Sequence, residues 1–435
     1  MVKKVKKKEV VEKAPVSSTL LRDMVNSNRK KYSSTRNMVG DEITDKTIGI
    51  PWPSLALMWL TQSTILPLGK IIGVAGDSQS QKSSLGFEML GWLMRYGGIA
   101  RLLENEGGKW SDSLIRSLIG PFVESGNFSI DECADISEVH QMTTSTLEFL
   151  FKNQHTSQLT GIMVDSLMGT ATRERVKKIT EDGAAGRSFA DGALFWSDYM
   201  KYLAGRLIGW PVIFLFINHI KDKPAEGFNP SGKSVKTTPG GKAQRYYSAV
   251  YFWVSRTQPT SGGERATWEV NGDLIACPIT IRTIKIKCDK NSLGVDGRVI
   301  NVDFCWWYDK ENKQHSFFNW DAATTLLLLQ EQDTRGFTRS NADGFAPLRD
   351  ICKISAVRGA AGDCYSCKRV NMTGKMSHTV GAAIHADKEL MNELIDFFHV
   401  HRRPAWDGSM LEEPIEDLEE PPPINEGSED GPDID

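Results

Sequence analysis

Apolar runs of strand length alternate with helix-length amphipathic stretches along much of the chain. The first run, KIIGVA at Lys70–Ala75, is followed by a short polar loop and then by apolar residues at helical spacing from Leu85 to Leu93. Three further runs are Ile99–Leu103, Gly161–Val164 and Val212–Ile217. Strands that alternate with helices are typical of α/β proteins. The pattern therefore predicts a mostly parallel, twisted sheet flanked by helices.

Polar residues follow each of the later three strands. They are Glu104-Asn105-Glu106, Asp165-Ser166 and Asn218-His219. In parallel α/β sheets, ligands bind beyond the carboxyl ends of the strands. We therefore expect these residues and the loop after the first strand to form one site.

The loop after the first strand, GDSQSQKSS, is close to the phosphate-binding pattern G-x-x-x-x-G-K-[ST]. Gln81 replaces the glycine that normally precedes the lysine. A helix start capped by serines would explain the serines but not the preceding glycine and lysine. We predict that the whole loop, here named the phosphate loop, binds a nucleotide through Gly76, Asp77, Ser78, Gln79, Ser80, Gln81, Lys82, Ser83 and Ser84.

Five residues of the predicted site have chemistry suited to nucleotide hydrolysis. Lys82 would neutralise the terminal phosphates, and Ser83 with Asp165 would hold Mg²⁺. Glu106 would orient and deprotonate the attacking water, with Glu104 as the competing candidate. His219 lies where a γ-phosphate sensor would report nucleotide state to the following loop. A lone strand-end acid or histidine is more often structural, so the prediction depends on their convergence.

Further strands and a small C-terminal region are predicted beyond residue 245. Strand-rich segments run from Tyr246 to about Trp307 and would extend the sheet. A region of about 320–405 contains a helical run of leucines and a final helix near Lys388–Val400. The segment Lys221–Lys242 has few apolar residues and many breakers, which predicts a long loop. It is either a functional loop or a disordered surface insertion.

Composition limits the class of protein. Apolar residues make up 40% and charged residues 25%, as in soluble globular proteins. No apolar run approaches the ~20 residues of a membrane span, and the start lacks a signal-peptide core. Seven scattered cysteines fit a reducing cytoplasm. Cys352, Cys364 and Cys367, with His378 or His385, allow a zinc site, but ordinary thiols are the favoured interpretation.

Charge is unevenly distributed although the net charge is only −3. The start, VKKVKKKEVVEK, is basic, and no lysine or arginine follows Trp406. The acidic, proline-rich end is therefore expected to be disordered. It is interpreted either as a solubilising tail or as a competitor of nucleic acid for a basic groove.

With these motifs in this order, the chain resembles the RecA family of strand-exchange recombinases, most closely its phage (UvsX-like) branch. Hexameric helicases share the loop and carboxylates but lack the Asn-His strand end and the long loop that follows. The likeness covers roughly residues 46–310, and the phage branch also carries a bulkier residue at the position of Gln81. The matching segments are PLGK (Pro67–Lys70), the phosphate loop, LLENE (Leu102–Glu106), IMVDS (Ile162–Ser166), YMKYLAGRL (Tyr199–Leu207), FINH (Phe216–His219) and TPGGKA (Thr238–Ala243).

The resemblance implies an ATP- and Mg²⁺-dependent helical filament that pairs single-stranded with homologous double-stranded DNA in a cytoplasm, the host's if the chain is phage-encoded. It makes His219 the counterpart of a sensor glutamine, and it makes Lys290 the nearest match to a basic residue that contacts a neighbouring subunit's nucleotide. Single-strand-binding and loader proteins are candidate partners, and no membrane is expected. The implied DNA-binding residues, in segments 172–187 and 221–242 and just beyond, are Arg173, Arg175, Lys223, Phe228, Lys233, Lys236, Gly240, Gly241, Lys242 and Arg245.

The expected domains are a basic N-terminal arm or oligomerisation segment (1–45), a RecA-like P-loop ATPase core (46–320), a small α/β or helical C-terminal domain (321–406) and an acidic tail (407–435). Two alternative functions stay open. One is another RecA-fold DNA motor, such as a helicase-like ATPase. The other is a DNA-binding filament protein that does not hydrolyse ATP, for which Gln81 is the main argument.

Overall fold

A computed structural model of the chain describes residues 47–107, 111–153, 157–167, 189–223, 235–238, 242–257, 268–270, 273–275, 279–309, 311–338, 348–359 and 362–408. The predicted N-terminal arm and nearly all of the acidic tail lie outside these residues. The proposed domain boundaries therefore stay predictions.

The secondary structure within these residues comprises ten α-helices and eighteen strands. The helices are α1 (Leu55–Thr61), α2 (Lys82–Arg95), α3 (Asp112–Ile119), α4 (Ile136–Lys152), α5 (Phe189–Arg206), α6 (Ala243–Tyr247), α7 (Trp320–Thr338), α8 (Leu348–Cys352), α9 (Ser377–Ala386) and α10 (Lys388–Phe397). The strands are β1 (Gly49–Pro51), β2 (Ile65–Pro67), β3 (Lys70–Gly76), β4 (Ile99–Glu104), β5 (Phe128–Glu132), β6 (Thr160–Asp165), β7 (Val212–His219), β8 (Lys221–Lys223), β9 (Val235–Thr237), β10 (Val250–Arg256), β11 (Trp268–Val270), β12 (Asp273–Ile275), β13 (Thr280–Asn291), β14 (Val299–Tyr308), β15 (Gln314–Phe318), β16 (Ile354–Gly359), β17 (Gly362–Cys367) and β18 (Met372–Lys375). Among the described helices, none is long and apolar enough to cross a membrane.

Nine strands form the central sheet, in the order β15-β14-β13-β10-β3-β7-β6-β4-β5. The six strands from β10 to β5 pair in parallel, and β13, β14 and β15 add to them as antiparallel strands. The predicted α/β fold with a mostly parallel sheet is therefore confirmed, as is its extension after residue 245 by β10, β13, β14 and β15. Strand β11, which lies in the same predicted region, pairs instead with β12 in a separate two-stranded sheet.

Apolar side chains cover both faces of this sheet. Because successive strand residues point to opposite faces, Ile72 and Val74 of β3 join one apolar cluster, and Ile71 and Ala75 join another. The first cluster includes α2 and α3, and the second includes α4 and α5. Burial on both faces explains why the parallel strands are continuous apolar runs.

The C-terminal region contains both helices and strands. Strands β16, β17 and β18 form an antiparallel sheet, and α7 to α10 pack with it around a third apolar cluster. Leu55 of α1 belongs to the same cluster as Leu328 and Leu394. This region is thus packed against the segment that precedes the phosphate loop.

Candidate nucleotide-binding site

The carboxyl ends of four parallel strands lie side by side at one edge of the central sheet, here named the carboxyl edge. Strands β3, β7, β6 and β4 are consecutive neighbours, so their ends share this edge. Gly76 pairs with His219, and Glu104 pairs with Asp165, as the last pairs of their ladders. The structure therefore brings together the phosphate loop and the polar residues that follow the other three strands.

Gln81 has a backbone conformation that favours glycine. Its φ of 66° and ψ of 28° lie in the left-handed region, which costs a side-chain-bearing residue about 1–2 kcal/mol. The Gln81 amide oxygen accepts a hydrogen bond from the Ser84 hydroxyl (2.8 Å). The phosphate loop thus contains a non-glycine residue in a strained backbone conformation.

Lys82 and Ser83 begin α2 and are both buried. The Lys82 ammonium donates to the Asp77 carbonyl (2.7 Å), so it reaches back across the phosphate loop. Gly76 allows the close approach of β10, since a Cβ atom there would lie 2.1 Å from the Val254 carbonyl oxygen. An ammonium group at the N-terminal end of a helix is suited to phosphate oxygens.

Asp165 is a buried carboxyl group beside Ser83. Burial raises the pKa of Asp165 to about 6, while a hydrogen bond from Ser83 opposes this rise. Glu106 raises this pKa further, and Lys82 lowers it. The Oδ2 atom of Asp165 is buried and has no hydrogen-bond partner in the described part of the chain. A hydroxyl and a carboxylate oxygen are ligands that Mg²⁺ prefers, so these residues fit the ion.

Glu106 lies between the ends of β6 and β7. Its Oε1 atom is 2.8 Å from His219 Nε2 and accepts a hydrogen bond from the Ser166 hydroxyl. Glu104 is only 3% exposed, and its carboxylate accepts a hydrogen bond from the Glu106 backbone N–H (2.9 Å). The Glu104 oxygen thus bonds to the chain, whereas Glu106 lies among the polar groups of the carboxyl edge. Glu106 is therefore the glutamate whose carboxylate contacts both Ser166 and His219.

Lys290 lies away from its own phosphate loop. It pairs with Tyr251, which pairs in turn with Gly73, three residues before the end of β3. Its ammonium donates to the Tyr246 carbonyl and lies 5.5 Å from the centre of the Tyr246 ring. Burial and the nearby Arg245 lower the pKa of Lys290. Among the described residues, Lys290 thus contacts Tyr246 in α6.

The predicted DNA-binding residues are only partly within the described chain; Arg173, Arg175, Phe228, Lys233, Gly240 and Gly241 lie outside it. Lys223 and Lys236 belong to β8 and β9, which pair as an antiparallel ladder. The segment expected to be one long loop therefore begins with a strand and contains a second one, β9. Lys242 is exposed and precedes α6. Arg245 forms an ion pair with Asp289 (2.8 Å), a partner that the sequence did not indicate.

Asn105 and Ser166 were expected at the carboxyl edge, but sequence reasoning gave neither of them a role. It missed Arg256 and Arg282. Arg256 donates to the Gln79 side-chain oxygen, and Arg282 donates to the Gln79 carbonyl, each at 3.3 Å. Arg256 ends β10, the neighbour of β3, so it too follows the strand-end rule.

The cysteines of the C-terminal region have other partners. No group of three or more potential metal-binding side chains occurs within the residues that the structure describes. The Cys367 thiol donates to the Cys352 carbonyl (2.9 Å), and burial raises the pKa of both thiols. His385 contacts Asp321 (2.5 Å) and accepts from the Leu55 N–H (3.1 Å). The zinc interpretation receives no support from this geometry.

The fold and the carboxyl edge are consistent with a RecA-like core. No family model matches the chain. Among curated proteins it is similar to Protein RecA of Pseudarthrobacter chlorophenolicus, with 24% identity over 320 residues, 72% of this chain and 84% of that protein. It is also similar to Protein RecA of Enterococcus faecalis, with 26% identity over 272 residues, 62% of this chain and 68% of that protein. Against Protein RecA of Rubrobacter xylanophilus the match, 24% identical over 225 residues, spans 52% of this chain and 60% of the relative, less than two thirds of it.

These similarities, at 24% to 26% identity, support a relationship between this chain and RecA proteins. They do not distinguish the phage branch from the rest of the family.

Proposed function

We propose that this protein is an ATP-dependent homologous recombinase, which forms helical filaments on single-stranded DNA and catalyses homologous pairing and strand exchange. The similarity to RecA proteins supports a recombinase-type function in recombination and repair. The observation that carries the proposal is the convergence of the phosphate loop, Asp165, Glu106 and His219 at one edge of the sheet.

The nucleotide phosphates would bind at the phosphate loop. Lys82, now bonded to the Asp77 carbonyl, would exchange that contact for the terminal phosphates. Ser83 and Asp165 would hold Mg²⁺, which when bound neutralises charge on the phosphate oxygens. The Ser83–Asp165 hydrogen bond keeps these two groups together before an ion arrives.

Glu106 would act as the general base. Its carboxylate would take a proton from the water that attacks the γ-phosphate, and this requires a fixed orientation. Ser166 and His219 meet at one Glu106 oxygen, and these contacts supply the orientation.

His219 would couple the nucleotide to DNA. It ends β7 and is followed at once by β8, one strand of the pair that begins the predicted DNA-binding segment. The Ile220 N–H donates to the Gly76 carbonyl (3.1 Å), so the start of this segment is bonded to the first residue of the phosphate loop. A change at His219 would therefore reach both elements.

Assembly would place Lys290 of one subunit at the nucleotide of the next. Within this proposal the protein belongs to the phage branch and acts in the host cytoplasm, with single-strand-binding and loader proteins as partners. The branch is proposed because Gln81, a bulkier residue, stands where the general pattern has glycine.

ATP turnover with and without single-stranded DNA, together with electron microscopy of the complexes, tests the proposal. We expect DNA-stimulated hydrolysis and helical filaments, and we expect Lys82→Ala to abolish turnover. The matched control is Lys152→Ala, which removes an exposed lysine paired with Glu148. Closed rings would favour a helicase-like motor, and filaments without hydrolysis would favour the non-hydrolysing alternative.

A further inference from the structure

Two reciprocal hydrogen bonds join Asn105, just after β4, to Ser166, just after β6. The Asn105 side-chain N–H₂ donates to the Ser166 carbonyl, and the Ser166 N–H donates to the Asn105 side-chain oxygen, both at 2.8 Å. The Asn105 backbone N–H also donates to the Asp165 carbonyl (3.1 Å). The contact between β4 and β6 thus continues one residue past the last ladder pair.

Ser166 connects these two hydrogen bonds, here named the Asn105–Ser166 clasp, to Glu106. It is 0% exposed, so no water competes for its hydroxyl, which donates to Glu106 Oε1. The N–H and the carbonyl of Ser166 are both hydrogen-bonded to the Asn105 side chain. These two bonds hold the Ser166 backbone in place and so restrict the orientation of the Ser166 hydroxyl. His219 reaches the same Glu106 oxygen from β7 (2.8 Å).

We propose that Asn105 is a positioning residue that sets the orientation of the Glu106 carboxylate through Ser166. The inference rests on the proposed function, in which Glu106 is the general base. A displacement of about 1 Å in a reacting group can lower a rate by about 100-fold. A side chain that fixes the partner of the base therefore controls turnover without contacting the nucleotide.

The Asn105–Ser166 clasp requires an amide side chain at position 105. Asn105 uses its side chain as both donor and acceptor, and a carboxylate has only acceptors. Asn105→Asp therefore keeps the bond from the Ser166 N–H and loses the bond to the Ser166 carbonyl. Asn105→Ala loses both bonds, and Ser166→Ala removes only the hydroxyl that reaches Glu106.

The test measures kcat and KM for ATP, with single-stranded DNA present, for the full chain and its variants. We expect Asn105→Ala and Ser166→Ala each to lower kcat by about tenfold to 100-fold, with KM and the affinity for a non-hydrolysable ATP analogue within about twofold of wild type. Asn105→Asp is expected to be intermediate. The double variant should be no slower than Ser166→Ala, because Asn105 acts through Ser166.

Asn153→Ala is the matched control. It removes an asparagine side chain that donates to a backbone carbonyl (2.8 Å) at the end of α4, and it should leave kcat unchanged. If Asn105→Ala melts at a clearly lower temperature than wild type, Asn105→Asp replaces it in the test. Its kcat and KM, alone and in combination with Ser166→Ala, are then judged by the criteria given above.

Two results for kcat alone overturn the inference while leaving the proposed function intact, and a third, given last, does so through nucleotide affinity. One is wild-type kcat in the single variants, and the other is a double variant whose loss is the product of the single losses. A wild-type chain that does not hydrolyse ATP refutes the proposed function, and this inference with it. An equal loss of nucleotide affinity and kcat would identify Asn105 as a merely structural residue.

Discussion

Glu88 gives the sharpest prediction about stability. It lies in α2, six residues after Lys82, and its Oε1 atom accepts a hydrogen bond from the Trp320 indole N–H (2.8 Å). The Oε2 atom is buried and has no hydrogen-bond partner among the residues that are described. Burial raises the pKa of Glu88 from 4.5 to about 8, although Trp320 and Arg95 both act to lower it. The folded protein therefore keeps this carboxyl group protonated at neutral pH.

The direction of the pH dependence follows from this raised pKa. Between pH 4.5 and about 8 the folded state holds a proton that the unfolded state has released. The contribution of Glu88 to stability is therefore largest below pH 4.5 and falls as the pH rises, by about 1.4 kcal/mol per pH unit over most of that range. From pH 6 to pH 8 the loss assigned to Glu88 is about 2 kcal/mol.

Glu88→Gln should remove this loss. The amide cannot ionise, and its oxygen can still accept from Trp320. We expect the free energy of unfolding of the variant, relative to wild type, to rise by about 2 kcal/mol between pH 6 and pH 8. Urea unfolding followed by tryptophan fluorescence at several pH values measures this difference.

Glu148→Gln is the control, because Glu148 is an exposed carboxylate paired with Lys152 (3.3 Å). It should show no comparable dependence on pH. Parallel curves for Glu88→Gln and wild type would refute the reasoning, since they would mean that Glu88 ionises as readily in the folded state as in the unfolded chain.

Three further predictions concern nucleotide and DNA. Gln81→Gly should tighten ATP binding, because it removes a side chain and lets the backbone approach the phosphates; calorimetric titration that shows equal affinity would contradict this. Glu106→Gln should lower kcat about 10²–10⁴-fold while ATP still binds, and turnover near the wild-type rate would exclude Glu106 as the base. Removal of residues 407–435 should tighten DNA binding most at low salt, as measured by fluorescence anisotropy; unchanged affinity would show that the acidic tail does not compete with DNA.

Much of the parallel sheet was predictable because its strands are buried on both faces. Such strands are short apolar runs, and β3, β4, β6 and β7 were all identified within two residues of their observed bounds. Strand β5, Phe128–Glu132, was missed. It is an edge strand with exposed residues, and its sequence, FSIDE, lacks the apolar continuity of its neighbours.

Partners distant in the chain were not predictable. The pairing of β8 with β9 joins charged segments, KDK and VKT, that lack a strand-like apolar pattern. The ion pair between Arg245 and Asp289 depends on the packing of α6 near β13. The sequence pattern contains no local signal for either contact.

The sequence by itself determined which polar residues follow the parallel strands, because the apolar runs indicate the length and the burial of each strand. It also showed that the phosphate loop lacks a glycine. Only the tertiary structure decided that Gln81 adopts the left-handed conformation. The tertiary structure also separated two glutamates two positions apart: β4 ends at Glu104, which stays buried in the ladder, whereas Glu106 lies beyond the last pair and meets Ser166 and His219. The physical reason is that side chains alternate between the two faces of the sheet only as far as the strand's ladder continues. Beyond the last pair, contacts with the ends of neighbouring strands determine the direction of each side chain.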